Sequence, residues 1–144
     1  MAEAPSDPDR ESTLRGRTGL LVAFDETAAA RRAAAFAAER AAMTGEFVTV
    51  VHIGSGLTEA DVRAAVETPF VDRQVTFEVA VVPAGGSDHD NVSVPTALRG
   101  LLGDNEFAMV VLGNERHDLF HGLTEASVSE ALVDDQDVPV LLVP

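Results

Sequence analysis

Residues suited to holding a small anion cluster at the ends of three apolar runs. Asp25 follows Gly19-Leu20-Leu21-Val22-Ala23-Phe24, His52-Ile53-Gly54 closes Phe47-Val48-Thr49-Val50-Val51, and Gly113 closes Val110-Val111-Leu112. Beyond Gly113 come a polar loop, Asn114-Glu115-Arg116, and then Thr124-Glu125-Ala126-Ser127-Val128-Ser129, the expected start of a helix. A loop between a buried strand and a helix points backbone N–H groups at whatever sits above the strand end. The positive end of the helix dipole adds to the attraction for an anion.

Other chemistries fit less well. His117 and His121 stand four apart beside Asp118, a spacing that on a helix can share a metal, but a loop context and no third clear ligand argue against it. The same histidines near Ser127 do not form a nucleophile site, because no Gly-x-Ser-x-Gly elbow is present. With no Lys in the chain there is no phosphate-binding Gly-x-x-x-x-Gly-Lys-Ser/Thr loop, and Gly54-Ser55-Gly56 lacks the third glycine of a dinucleotide fingerprint. A phospho-receiver domain needs an acid after its third strand and a base after its fifth; Val82-Pro83 and Val143-Pro144 supply neither. Structural readings stand beside the ligand readings. Asp25 can be a helix cap, Ser127 a first-turn residue, Gly113 a strand end, Arg116 a solvated charge or ion pair, and His52 a packed, hydrogen-bonded side chain. Asp88-His89-Asp90 reads as a solvated turn.

The elements that would position these residues alternate. Gly19–Phe24 reads as a strand buried on both faces. Asp25-Glu26-Thr27 opens a helix to about Met43, with Ala30, Ala33, Ala34, Ala37 and Ala41 on one face and Gly45 as its stop. Phe47–Ile53 is a second strand. Thr58-Glu59-Ala60-Asp61 resembles a capping box and starts a helix running to about Thr68, with Pro69 ending it. Val75–Val82 alternates in its first half and is placed at a sheet edge. Ser93 caps a third helix, with Leu98, Leu101 and Leu102 inward and Gly103 at its end. Phe107–Leu112 is a fourth strand, a last helix runs from about Thr124 to Val133, and Val138–Val143 is a fifth strand with Pro139 marking an edge. Strand and helix in alternation argue for an α/β fold with a parallel sheet. Ligands in such sheets sit beyond the carboxyl ends of the strands.

Composition narrows the class. A chain of 144 residues suits one domain. There is no apolar run long enough to span a membrane, and the first residues lack the basic-then-apolar pattern of a signal peptide, so a cytoplasmic location is expected. Without Cys there is no disulfide or thiolate chemistry. Asp and Glu total 24 against 10 basic residues, all of them Arg, for a net charge of −14. That balance disfavours nucleic acid. Acids spread along a chain without Lys resemble a halophilic, salt-adapted surface, on which concentrated salt screens the repulsion.

From Gly19 to Pro144 the chain resembles a universal stress protein domain. The resemblance is carried, in order, by Leu20–Asp25 with its Ala-rich helix, Val50-Val51-His52-Ile53, Val110–Gly113, Ala126-Ser127-Val128-Ser129-Glu130 and Val138–Pro144. It implies a single three-layer domain over 18–144 after a flexible arm at 1–17, with a five-stranded parallel sheet in order 3-2-1-4-5 and helices on both faces. It also implies a homodimer joined through the last strand, Val138 to Val143, and a protein partner. In the family's ATP-binding branch the loop reads Gly, two residues, Gly, nine residues, Gly, then Ser or Thr. Gly113 and Ser127 match, while Arg116 and Ala126 stand where glycines are expected. The resemblance therefore places ATP or another adenine nucleotide, with Mg²⁺, near Ala23, Asp25 and Ile53 on the adenine and ribose side. Gly113, Arg116, Ala126, Ser127 and Val128 fall on the phosphate side. Arg116 either blocks the pocket or replaces a backbone contact with a guanidinium. The implied function is non-enzymatic nucleotide sensing in a stress response. The alternatives are a nucleotide-independent interaction domain with a vestigial cleft and, more remotely, a weak NTP hydrolase.

Overall fold

Leu20, Leu21, Val22, Ala23 and Phe24 carry no polar side chain to turn toward water, and all are buried, the first four in the middle strand of the sheet and Phe24 directly after it. The computed structural model describes residues 16–54, 56–82, 94–113 and 138–144. Over these the chain runs β1 (Thr18–Ala23), α1 (Ala28–Thr44), β2 (Val48–Ile53), α2 (Glu59–Asp72), β3 (Phe77–Val82), α3 (Val94–Asp104), β4 (Glu106–Gly113) and β5 (Val140–Val143). Every pairing is parallel, and the order is β3-β2-β1-β4-β5. The strand alternation expected from the sequence therefore holds, with β3 and β5 at the two edges. The arm at 1–15 and the helix expected over 124–133 lie outside the described residues.

Alternation along each strand divides the core into two layers. Leu20, Val22, Phe24, Val48 and Val50 pack with α1 and α2 on one face. Leu21, Ala23, Val51, Ile53 and Leu112 pack with Leu98, Leu101 and Leu102 of α3 on the other. The buried face of α1 is made of seven alanines, 29, 30, 33, 34, 37, 38 and 41. Their small side chains let the helix backbone lie close on the sheet. Gly45 ends the helix at φ 80°, a left-handed conformation that favours glycine, and its N–H returns to the Ala41 carbonyl at 2.7 Å.

Four local readings change. The first helix does not open on Asp25 or Glu26: it begins at Ala28, with Thr27 as N-cap. Pro69 does not end α2, which runs on to Asp72. Proline in a helix interior forfeits a hydrogen bond and costs about 3 kcal/mol. The turn beyond it, however, buries Phe70 completely and stacks it on Phe77 with centroids 4.4 Å apart. Burying such a ring contributes about 1.5–3 kcal/mol, and the aromatic pair about 0.5–1.5 more, enough to offset the proline. The third helix passes Gly103 by one residue. Arg17, at the end of the expected flexible arm, is instead tied to the sheet by an ion pair with Glu78 of β3 at 2.9 Å. Its backbone N–H donates to Asn105 Oδ1 at the start of β4.

Candidate functional site

The sheet order reverses at β1. From β1 the chain crosses to β2 and β3 on one side, then returns to β4 and β5 on the other. At such a reversal of strand order, ligands of parallel sheets sit beyond the carboxyl ends of the strands, here those of β1 and β4. Register places Ala23 of β1 between Val51 of β2 and Leu112 of β4, with Gly113 one residue further on. Asp25, Ile53 and Gly113 thus lie at the same end of the sheet.

Asp25 is buried, with 8 % of its surface exposed. Its Oδ1 accepts two hydrogen bonds from Thr27, from the backbone N–H at 3.0 Å and from the hydroxyl at 2.7 Å. Thr27 Oγ1 in turn accepts the Ala30 N–H at 3.1 Å, the cap of α1. So Asp25 is not itself the cap. It holds the residue that is, and the turn uses one of its two carboxylate oxygens. The sequence places Thr27 in the helix opening without singling it out as the cap, although a Thr directly before an alanine run is a recognisable N-cap signal.

Gly113 has a packing role that sequence alone did not show. A Cβ at this position would lie 2.6 Å from the Ala30 nitrogen and 2.7 Å from the Ala29 carbonyl carbon. The first turn of α1 occupies the space that any side chain would need. Glycine here brings a helix N-terminus directly over the end of β4, beside the crevice. Ala23 and Ile53 are core residues by their side chains, 3 % and 6 % exposed. A ligand would meet them mainly through their backbones.

His52 is the residue whose part in the site the sequence left open. It is buried, and its Nδ1 lies 2.9 Å from the Phe24 carbonyl. Arg116, Ala126, Ser127 and Val128 lie outside the described residues, as do His117, Asp118 and His121. Among the described residues no group of three or more His, Asp or Glu side chains could hold a metal ion. None of the described helices is long and apolar enough to cross a membrane.

Residues 17–144 match the universal stress protein family. The chain belongs to that family. Among curated protein sequences there is no match. Solved universal stress proteins share its fold. One from Burkholderia pseudomallei is 21 % identical with a TM-score of 0.57, the match covering 88 % of this chain and 95 % of that one. A universal stress protein in complex with cAMP is 19 % identical with a TM-score of 0.60, covering 90 % of this chain and 98 % of that one. One from Archaeoglobus fulgidus in complex with dAMP is 18 % identical with a TM-score of 0.56, covering 91 % and 99 %.

Proposed function

We propose that this universal stress protein binds an adenine nucleotide in the crevice between β1 and β4, without turning it over, and signals occupancy through a protein partner in a stress response. The observation that carries the reading is the convergence of Asp25, the Ile53 backbone and Gly113 at the point where the sheet order reverses. Two proteins of the same fold are complexes with cAMP and dAMP, which supports an adenine ligand. Asp25 is suited to accept from a ribose hydroxyl or an adenine amine, since its turn uses Oδ1 and leaves Oδ2 uncommitted to that turn. The N-terminus of α1, brought close by Gly113, contributes positive potential toward a phosphate. By the family resemblance Arg116 and Ser127 of the following loop would contact the phosphates, and Mg²⁺ would supply further positive charge where a triphosphate is bound.

Titration calorimetry with AMP, ADP and ATP, each with and without Mg²⁺ in molar KCl, tests this. Saturable binding that Asp25→Ala removes is expected; no heat at millimolar nucleotide overturns it. A second reading is favoured by Arg116 and Ala126 standing in place of two glycines. In that reading Arg116 fills the phosphate position and the domain acts by protein contacts alone. It predicts that the double substitution Arg116→Gly with Ala126→Gly creates ATP binding where the parent has none.

A further inference from the structure

The ladder between β1 and β2 ends in an unusual way. In β2 and the residue before it, the backbone groups of odd-numbered residues face β1: Phe47 accepts from the Leu20 N–H at 2.9 Å, and Val51 accepts from the Phe24 N–H at 2.8 Å. Those of even-numbered residues face β3, as the Gly54 N–H does in donating to Val82 at 2.9 Å. The next rung of the parallel ladder would carry the Ile53 N–H to the Phe24 carbonyl. That carbonyl instead lies 2.9 Å from His52 Nδ1. A carbonyl can only accept, so His52 carries its proton on Nδ1.

Two consequences follow. The Phe24 carbonyl and the Asp25 N–H belong to one rigid peptide plane, so the imidazole that holds the carbonyl also sets the direction in which the chain enters Asp25. Phe24 itself is held on both sides, its N–H, in the preceding peptide plane, by the Val51 carbonyl and its carbonyl by His52. Meanwhile the Ile53 N–H, aimed at the same side, is relieved of its ladder partner.

We propose that His52 is a positioning residue of the nucleotide cleft. Its Nδ1–H locks the Phe24–Asp25 peptide so that the Asp25–Thr27 turn presents its carboxylate, and its capture of the Phe24 carbonyl leaves the Ile53 amide to donate to the edge of an adenine ring. The ligand half of this proposal rests on the nucleotide reading above; the locking half does not.

Substitutions separate the hydrogen bond from the shape of the ring. In His52→Asn the side-chain amide places an N–H close to where Nδ1 stands. In His52→Leu the branching is similar but the donor is gone, leaving a buried carbonyl unpaired. With AMP as the probe, His52→Leu is expected to weaken binding about tenfold or more, with the far-ultraviolet circular dichroism of the parent. His52→Asn is expected to restore the affinity to within about threefold. In the free protein, amide hydrogen exchange at Asp25, Thr27 and Ala30 is expected to quicken in the Leu variant and to recover in the Asn variant. Parent-like affinity and exchange in the Leu variant would overturn the proposal, as would an Asn variant that behaves like Leu. If the parent binds none of AMP, ADP and ATP, the nucleotide reading fails, and unchanged exchange in the Leu variant then overturns the locking role separately. Should the Leu variant not fold, the ring-nitrogen spectrum of the parent decides: an Nδ1-protonated imidazole supports the proposal, and an Nε2-protonated one overturns it.

Discussion

Asp25 and Gly113 each do two things at once, and substitutions can separate them. Asp25 organises a cap before it touches any ligand. Removing its carboxylate releases two donors of Thr27 that are partly buried, so Asp25→Ala is expected to cost about 1–3 kcal/mol of stability. Thr27→Ala removes the cap and the hydroxyl bond to Asp25 but keeps the backbone one, and is expected to cost about 1 kcal/mol. Chemical denaturation of both variants checks the order; a Thr27→Ala loss larger than that of Asp25→Ala would contradict it. Gly113→Ala brings a methyl group against the Ala29–Ala30 backbone, an overpacking that costs about 1–3 kcal/mol. It is also expected to push α1 away from the crevice and weaken nucleotide binding. The sequence showed Asp25, Ile53 and Gly113 as strand-end positions, because apolar runs that stop at a polar residue or a glycine are visible in one dimension. It did not show their partners. Which hydroxyl Asp25 holds, and which backbone Gly113 makes room for, depends on how α1 lies across β4.

Whole elements were legible wherever apolar periodicity and a terminal signal agreed. The second helix shows both the strength of that reading and where it fails. Its capping box was written in Thr58-Glu59-Ala60-Asp61, and both reciprocal bonds are present: Asp61 N–H to Thr58 Oγ1 at 3.1 Å and Thr58 N–H to Asp61 Oδ2 at 3.0 Å. Its end was misplaced because Pro69 is a local signal, whereas the burial of Phe70 against Phe77 is a tertiary one. The capping box also carries a pH dependence. Hydrogen bonds from the Thr58 backbone and then its hydroxyl hold the Asp61 carboxyl below its usual range. A carboxylate whose pKa is lower in the folded protein stabilises the fold above its unfolded pKa. That contribution is lost as pH falls through the folded value, so the loss belongs to the acid side of about pH 4. Glu46 acts in the same direction: burial raises its pKa, but bonds from Thr44 and Arg40, together with the Arg40 charge, outweigh it. The double variant Asp61→Asn, Glu46→Gln is therefore expected to show a flatter decline in melting temperature between about pH 5 and pH 2 than the parent. Parallel declines in the two proteins would remove both carboxylates from the account of acid sensitivity.

At the scale of the molecule, the edges of the sheet and the net charge act against each other. The Pro139 carbonyl accepts from the Val110 N–H, so residues 139, 141 and 143 turn their backbone groups toward β4, and Val140 and Leu142 turn theirs outward. That outer edge is a template for a second strand, and Val140–Val143 carries no charge to block it. Pairing across it would join two copies, the association the family resemblance implies. Two chains each of net charge −14 repel one another, however. Association is therefore expected to strengthen as salt rises from about 0.1 M, where the screening length is about 10 Å, toward 1 M, where it is about 3 Å. Val140→Pro removes one outward N–H at the first residue of the strand and leaves the inward bonds of Leu141 and Val143 in place. Sedimentation velocity in a salt series separates the two contributions. The parent is expected to move from monomer toward dimer as salt increases, while Val140→Pro stays monomeric at the same salt with its fold intact. A parent that remains monomeric in molar salt would contradict the edge-to-edge dimer. A Val140→Pro variant that dimerises as well as the parent would move the interface to another face of the molecule.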